Sequence, residues 1–149
     1  MKKFYSILHC YAIIVINFEN LLRAESSITS QLIDVCEIED CQNFDSVFSI
    51  GLIEHFDANQ TCRAIESHFK LCKPGGTVLI SFPTPTPLYR LIRGAAEMAG
   101  IWKFPDERPL LFEEVIACGS KFGTLKHQSI LWAIGLTQGY TIFRKSGVA

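Results

Sequence analysis

The pattern of apolar and polar positions is most regular between Phe44 and Phe82. Val47 to Ile50 and Val78 to Phe82 are mostly apolar runs without polar alternation. Such runs predict strands buried on both faces of a parallel sheet. Asp57 to Lys70, between them, has helical spacing, with Ile65, Phe69 and Cys72 on one stripe. Strand, helix and strand in that order predict a right-handed crossover. Ligands of such sheets gather beyond the carboxyl ends of the strands. Those ends carry Gly51, Glu54 and His55 after one strand and the run Pro83-Thr84-Pro85-Thr86-Pro87 after the other.

The flanking pattern extends the sheet. Ala12 to Ile16 reads as a strand that turns into a helix through Leu21 and Leu22, and Gln31 to Val35 as a weaker strand followed by an acidic connector, Cys36 to Asp40. Asp57 is placed to cap the central helix, with Gln60 three residues on, and Pro74-Gly75-Gly76 stops that helix and returns the chain to the sheet. The prolines from Pro83 force an extended segment over the edge of the sheet. Leu88 to Ala99 returns to helical spacing, 100–108 is a loop containing Trp102 and Phe104, and Leu111 to Cys118 is a short helix. Gly123 to Ile134 and Tyr140 to Phe143 predict a closing pair of strands around Gly135 and Gly139. The expected architecture is one α/β domain over 1–149: a mostly parallel, Rossmann-like sheet with helices on both faces and an antiparallel hairpin at its end.

Composition narrows this only slightly. The 149 residues are 48% hydrophobic and 19% charged, which suits an ordered domain with a sizeable core. A net charge of −1 gives no electrostatic case for nucleic acid or an acidic membrane surface. Cys10, Cys36, Cys41, Cys62, Cys72 and Cys118 are scattered without metal-type pairing, so the expectation is buried free thiols in a reducing cytoplasm. Met1-Lys2-Lys3 followed by Phe4 to Phe18 has the outline of a signal peptide. His9 and Asn17 interrupt it, no small-x-small cleavage site follows before Arg23, and it falls short of the roughly 20 apolar residues of a membrane span. The expected reading is therefore a core segment running into the strand at Ala12. His9, His68 and His127 have no partner acids at metal-ligand spacing and are read as structural.

Two phrases carry a resemblance. Phe44-Asp45-x-Val47-x-Ser49-x-Gly51-Leu52-x-Glu54-His55 looks like the fourth-strand motif of the class I S-adenosylmethionine-dependent methyltransferases. Leu71-x-Lys73-Pro74-Gly75-Gly76 looks like the turn into that family's fifth strand. The chain from about Ala12 to Lys145 resembles the second half of such a domain. The resemblance implies methyl transfer from S-adenosylmethionine to a small-molecule acceptor. It makes Ala12 to Ile16 the family's second strand and puts Asn17 where a carboxylate usually holds the ribose hydroxyls. An amide there accepts only through its oxygen and carries no charge. It matches Asp34, with Val35 beside it, to the acceptor of the adenine amino group, and places Ser49 and Gly51 along the cofactor. A turn-forming aspartate is the alternative for Asp34.

The family's opening glycine-rich turn has no counterpart, because the first glycine of this sequence is Gly51. The resemblance therefore implies an N-terminally truncated domain: a fragment, or a relative that no longer binds the cofactor normally. Displacement at a sulfonium methyl needs mainly in-line positioning, worth up to roughly 7–11 kcal/mol. A base is required only for a weakly nucleophilic acceptor, and His55 and Glu54 are the residues at hand for that task. A non-catalytic binding domain that keeps the sheet is the competing reading, and fold resemblance does not decide between them. The sequence is silent on oligomeric state. The expected pocket is framed by Asn17, Asp34, Ser49, Gly51, Glu54 and His55, beneath the Pro83 run and the Trp102 loop, with Phe4 to Ala12 folded over its open side.

Overall fold

A computed structural model describes the backbone of residues 13–16 and residues 40, 42–103, 105–132 and 137–147 in full. The strands are β1 (Ile13–Ile16), β2 (Phe44–Ile50), β3 (Cys72–Pro83), β4 (Gly123–Leu131) and β5 (Gln138–Lys145). The helices are α1 (Ala58–Leu71), α2 (Pro87–Met98) and α3 (Phe112–Gly119). They build an α/β fold on one sheet of order β1-β2-β3-β5-β4.

The expected crossover is present. β2 and β3 are parallel neighbours, with Val47 opposite Val78 and Ser49 opposite Ile80, and α1 connects them. Asp57 caps α1, its Oδ1 accepting the backbone N–H groups of Asn59 and Gln60 at 2.9 Å each. The Lys-Pro-Gly-Gly turn lies inside β3 and not before it. Phe44 pairs with Cys72 and Ser46 with Thr77, so the turn bulges out of the ladder. Gly75 sits at φ +72, and a Cβ on Gly76 would collide with the backbone oxygens of Asp45 and Lys73, both 2.9 Å away. Only glycine suits that tight return.

The core lies on the face of the sheet covered by α1 and α3. Val47, Val78, Ile80, Phe82 and Phe143 point into it and meet Ile65 and Phe69 of α1 and Val115 of α3. Phe69 packs edge-on to Phe143 at 5.7 Å between ring centres. The helix expected on the opposite face, through Leu21, lies outside the described residues, as do Phe4 to Ala12 and the strand expected at Gln31 to Val35. The closing β4–β5 pair is antiparallel as expected, and β5 begins at Gln138, slightly before the predicted Tyr140.

Two expectations are corrected. The sheet is mixed and not mostly parallel: among the described strands β2–β3 is the parallel pair, and β1 runs antiparallel to β2, with Ile13 opposite Ser49 and Ile16 opposite Ser46. An apolar run such as Ile13 to Ile16 fits either direction, so its composition carries no information about polarity. The cysteines are not all free thiols. Cys62 of α1 and Cys118 of α3 form a disulfide across 56 residues of chain, with Cα atoms 5.5 Å apart. Separation along the sequence had concealed that the two helices pack side by side. Cys72 is a buried free thiol, and Cys10, Cys36 and Cys41 lie outside the described residues.

Candidate functional site

The chemistry-bearing residues gather just past the carboxyl end of β2. Ile50 ends the strand, and Gly51 turns the chain at φ +66 while its N–H still donates to the Ser81 carbonyl at 3.1 Å. Leu52 and Ile53 then plunge into the interior and fix a single 3-10 turn, Ile53–His55, which is followed by the Asp57 cap of α1. The turn leaves Glu54 and His55 side by side between the core and the loop that follows α2.

Glu54 is almost completely buried, and its Oε2 has no hydrogen-bond partner among the described residues. Burial, with smaller contributions from the carboxylates of Glu107 and Asp106, pushes its pKa up to about 7. Its Oε1 lies 3.9 Å from Nε2 of His55 and 3.3 Å from where a Cβ on Gly51 would stand. A residue larger than glycine would press on that carboxylate as well as strain the backbone. On its other side, His55 Nδ1 stands 2.9 Å from Oδ2 of Asp106. A carboxylate only accepts, so this contact makes Nδ1 the protonated nitrogen of the neutral ring and leaves the Nε2 lone pair facing Glu54.

The loop is held firmly over this turn. The Arg108 N–H donates to the Glu54 carbonyl at 2.9 Å. Its guanidinium makes a two-pronged bond to Glu114 of α3 at 2.7 and 2.9 Å and reaches Thr61 of α1 at 3.0 Å. Tyr89 donates to Glu107 at 2.6 Å, and Arg93 donates to the Glu107 carbonyl at 2.9 Å while lying over the Trp102 ring at 5.2 Å. A groove of about 710 Å³ runs between α2 and this loop, lined by Tyr89, Arg93, Glu97, Asp106 and Glu107 among others. Gly51 and Glu54 are not among its lining residues, so it adjoins the turn without containing it.

Of the sequence-predicted site residues, the structure brings Gly51, Glu54 and His55 together. Ser49 is one step away but faces the core, where its Oγ lies 2.8 Å from Nε2 of His68, whose Nδ1–H donates to the Ala64 carbonyl at 2.7 Å. Burial lowers the His68 pKa to about 4, so it stays neutral and structural. Asn17, Asp34 and Val35 lie outside the described residues. Ile16, the neighbour of Asn17, pairs with Ser46, at the end of β2 away from Gly51. The Trp102 loop was expected above the pocket, and Trp102 packs edge-on to Tyr89 at 6.3 Å. Sequence reading missed Asp106 and Arg108. The only local signal is an acid-acid-base triplet between Pro105 and Pro109, 51 residues from His55 in the case of Asp106.

No family model and no curated protein matches the sequence. Solved structures do match. A methyltransferase dependent on S-adenosylmethionine from Methanosarcina mazei superposes with a TM-score of 0.63 at 12% identity, over 79% of this chain and 67% of that one. Magnesium protoporphyrin IX methyltransferase from Synechocystis, solved with S-adenosylhomocysteine, gives 0.59 at 10% identity over 76% and 49%. The 1,6-didemethyltoxoflavin N1-methyltransferase of Burkholderia thailandensis gives 0.55 at 15% identity over 76% and 49%. The chain thus spans about half the length of the latter two. At these identities the likeness is one of fold: the chain has the α/β fold of the class I S-adenosylmethionine-dependent methyltransferases. No described helix is long and apolar enough to cross a membrane.

Proposed function

We propose that this chain carries the acceptor half of an S-adenosylmethionine-dependent methyl transfer to a small molecule. The observation that supports it is the buried Glu54 carboxyl at the carboxyl end of β2, whose Oε2 has no hydrogen-bond partner among the described residues, within a fold shared with methyltransferases. When bound, S-adenosylmethionine supplies an electrophilic methyl group. What this chain supplies is the left-handed turn at Gly51 and, beside it, a carboxyl poised near neutral pH. Glu54 takes the proton that a hydroxyl or ammonium acceptor sheds, and His55 lies beside it as the next proton carrier. Gly51 is the described residue best placed along the cofactor, and Ser49 contributes through its backbone, its side chain being engaged by His68. Asn17, Asp34 and Val35 are retained as the nucleoside side of the proposal, although the direction of β1 gives Asn17 no support.

A non-catalytic binding domain is the second reading. It is favoured by the antiparallel β1 beside β2. Calorimetric titration with S-adenosylhomocysteine separates the two. Saturable binding that weakens in Asp34→Ala supports methyl transfer; no heat at millimolar ligand supports the second reading. The Cys62–Cys118 bridge fits an oxidising compartment better than the expected cytoplasm.

A further inference from the structure

Three ionisable side chains at the turn form a line from the interior to solvent. The Glu54 side chain is 4% exposed, that of His55 10% and that of Asp106 63%. The spacings along the line are 3.9 Å and 2.9 Å. A base that buried cannot hand its proton to water directly. The Arg108 N–H holds the Glu54 backbone carbonyl from the loop side, and Leu52 and Ile53, next to it in the chain, are buried.

We propose that Asp106 is a positioning residue that makes His55 a one-way relay, carrying protons from Glu54 to solvent. The inference rests on the reading of Glu54 as the acceptor-side base. In the reaction, the acceptor's X–H proton passes to Glu54 Oε1. The freed pair on X bonds to the methyl carbon, and the carbon–sulfur pair returns to sulfur as a thioether. Glu54 then gives its proton to His55 Nε2, the imidazolium gives its Nδ1 proton to Asp106 Oδ2, and Asp106 releases it to water. The ring is left as the Nε2–H tautomer and returns to Nδ1–H by exchange with solvent. The 3.9 Å gap is long for a hydrogen bond and closes when Glu54 is protonated and can donate, as catalytic contacts do on loading. The charged groups around the line are Glu107 and Asp106, which both act on Glu54, and Arg108, whose guanidinium is already bound by Glu114. The relay also sets the acceptor class: a group with a proton to lose, an alcohol, a phenol or an ammonium, and not a tertiary amine or a thioether.

The test uses the full chain, uniformly labelled with ¹⁵N, and reads the His55 ring by long-range proton–nitrogen correlation. The parent should show the Nδ1–H tautomer, with an Nε2 shift that moves as pH crosses the Glu54 titration. Glu54→Gln, close to an isostere, should abolish that movement. Asp106→Ala should speed exchange of the Nδ1 proton about ten-fold or more, the loss of one charge-assisted hydrogen bond, and shift the ring toward Nε2–H. Asp106→Glu should restore both. Asp106 is largely exposed, so unchanged amide signals from β3 and β5 will show that the fold is intact. An Nε2–H ring in the parent, or unchanged exchange in Asp106→Ala, would overturn the relay. Titration of the same sample with S-adenosylhomocysteine keeps the two claims apart. Binding with no relay signature sinks the relay alone. A relay signature with no binding upholds the positioning of His55 by Asp106 and sinks the methyl-transfer reading.

Discussion

Ser49 and Glu54 stand on the same stretch of chain, and both are buried, yet they are treated in opposite ways. Ser49 belongs to the region under α1 and α3, where its hydroxyl meets His68, which in turn meets the Ala64 carbonyl. That region is closed by the Cys62–Cys118 bridge. Glu54 belongs to the turn beyond β2, where a carboxyl oxygen is buried with no partner among the described residues. A buried polar group that is satisfied stabilises or is neutral. One that is not costs on the order of 1–3 kcal/mol. A fold keeps such a cost mainly where the group has another use. The difference teaches that polarity in the interior does not by itself mark a site; what sets Glu54 apart is that its unsatisfied oxygen belongs to an ionisable group, unlike the unsatisfied hydroxyls of Thr84 and Thr141.

The largest effect should come from the stapled region. The bridge closes a loop of 56 residues, for which chain entropy alone suggests about 4 kcal/mol. Replacing both Cys62 and Cys118 by alanine should lower unfolding stability in urea by about that amount, and dithiothreitol should do the same to the parent. The contacts of the Glu54 turn should survive, since Arg108 still joins Glu114 to Thr61. Loss of the His55–Asp106 contact in the double variant would show that the two regions are not independent.

The second effect separates the regions by pH. The Glu54 pKa is raised from 4.5 to about 7, so the folded state binds the proton more tightly than the unfolded state. Its contribution is fully favourable below about 4.5, declines as pH rises, and is lost as pH passes 7. The His68 pKa is lowered from 6.5 to about 4, so its contribution is present above 6.5 and lost as pH falls through 4. Each amounts to about 3 kcal/mol, and in the overlap, between roughly pH 4.5 and 6.5, the slopes oppose and should nearly cancel. Glu54→Gln removes one of them. The variant should be more stable than the parent at pH 8, by up to about 3 kcal/mol, and should lose stability steeply from pH 6.5 to 4 where the parent stays flat. A parent with a steep slope across that range would break the pairing of the two groups.

How much of this was legible in the sequence follows the same division. The parallel β2–β3 pair, the Asp57 cap and the closing hairpin could be read because each rests on a local pattern: an apolar run, a capping residue, a turn. That Gly51, Glu54 and His55 stand together could be read because they directly follow a recognisable strand. The direction of β1, the Cys62–Cys118 bridge and the Asp106 contact are all long-range pairings, and nothing local encodes them. The direction of the Ser49 side chain was illegible for a related reason. Strand alternation puts Val47 and Ser49 on one face, and that is the face α1 covers. A polar residue there is a partner for the helix, and His68 is that partner.

The smallest effect concerns the residue that joins the two regions. Asp57 follows the Glu54 turn directly and caps α1, the helix that carries Cys62 and His68. Its carboxylate satisfies two backbone N–H groups, at Asn59 and Gln60, and sits where the helix dipole is positive. Asp57→Ala should therefore cost about 1 kcal/mol, and Asp57→Asn much less, because an amide oxygen still accepts. The informative quantity is how that cost varies with pH. If the cap merely holds the helix, the loss is the same at pH 5 and pH 8, and the stability profile shifts down without changing shape. If the first turn of α1 also positions the Glu54 turn, releasing it lets water reach the carboxyl, and the Glu54 pKa falls toward its ordinary value. The variant would then lose less stability at pH 8 than at pH 5. Urea midpoints at the two pH values distinguish these outcomes. We expect the second, because Thr61, one turn into α1, lies 3.2 Å from the Ile53 carbonyl and 3.0 Å from the Arg108 guanidinium, so the cap, the turn and the loop share one set of hydrogen bonds.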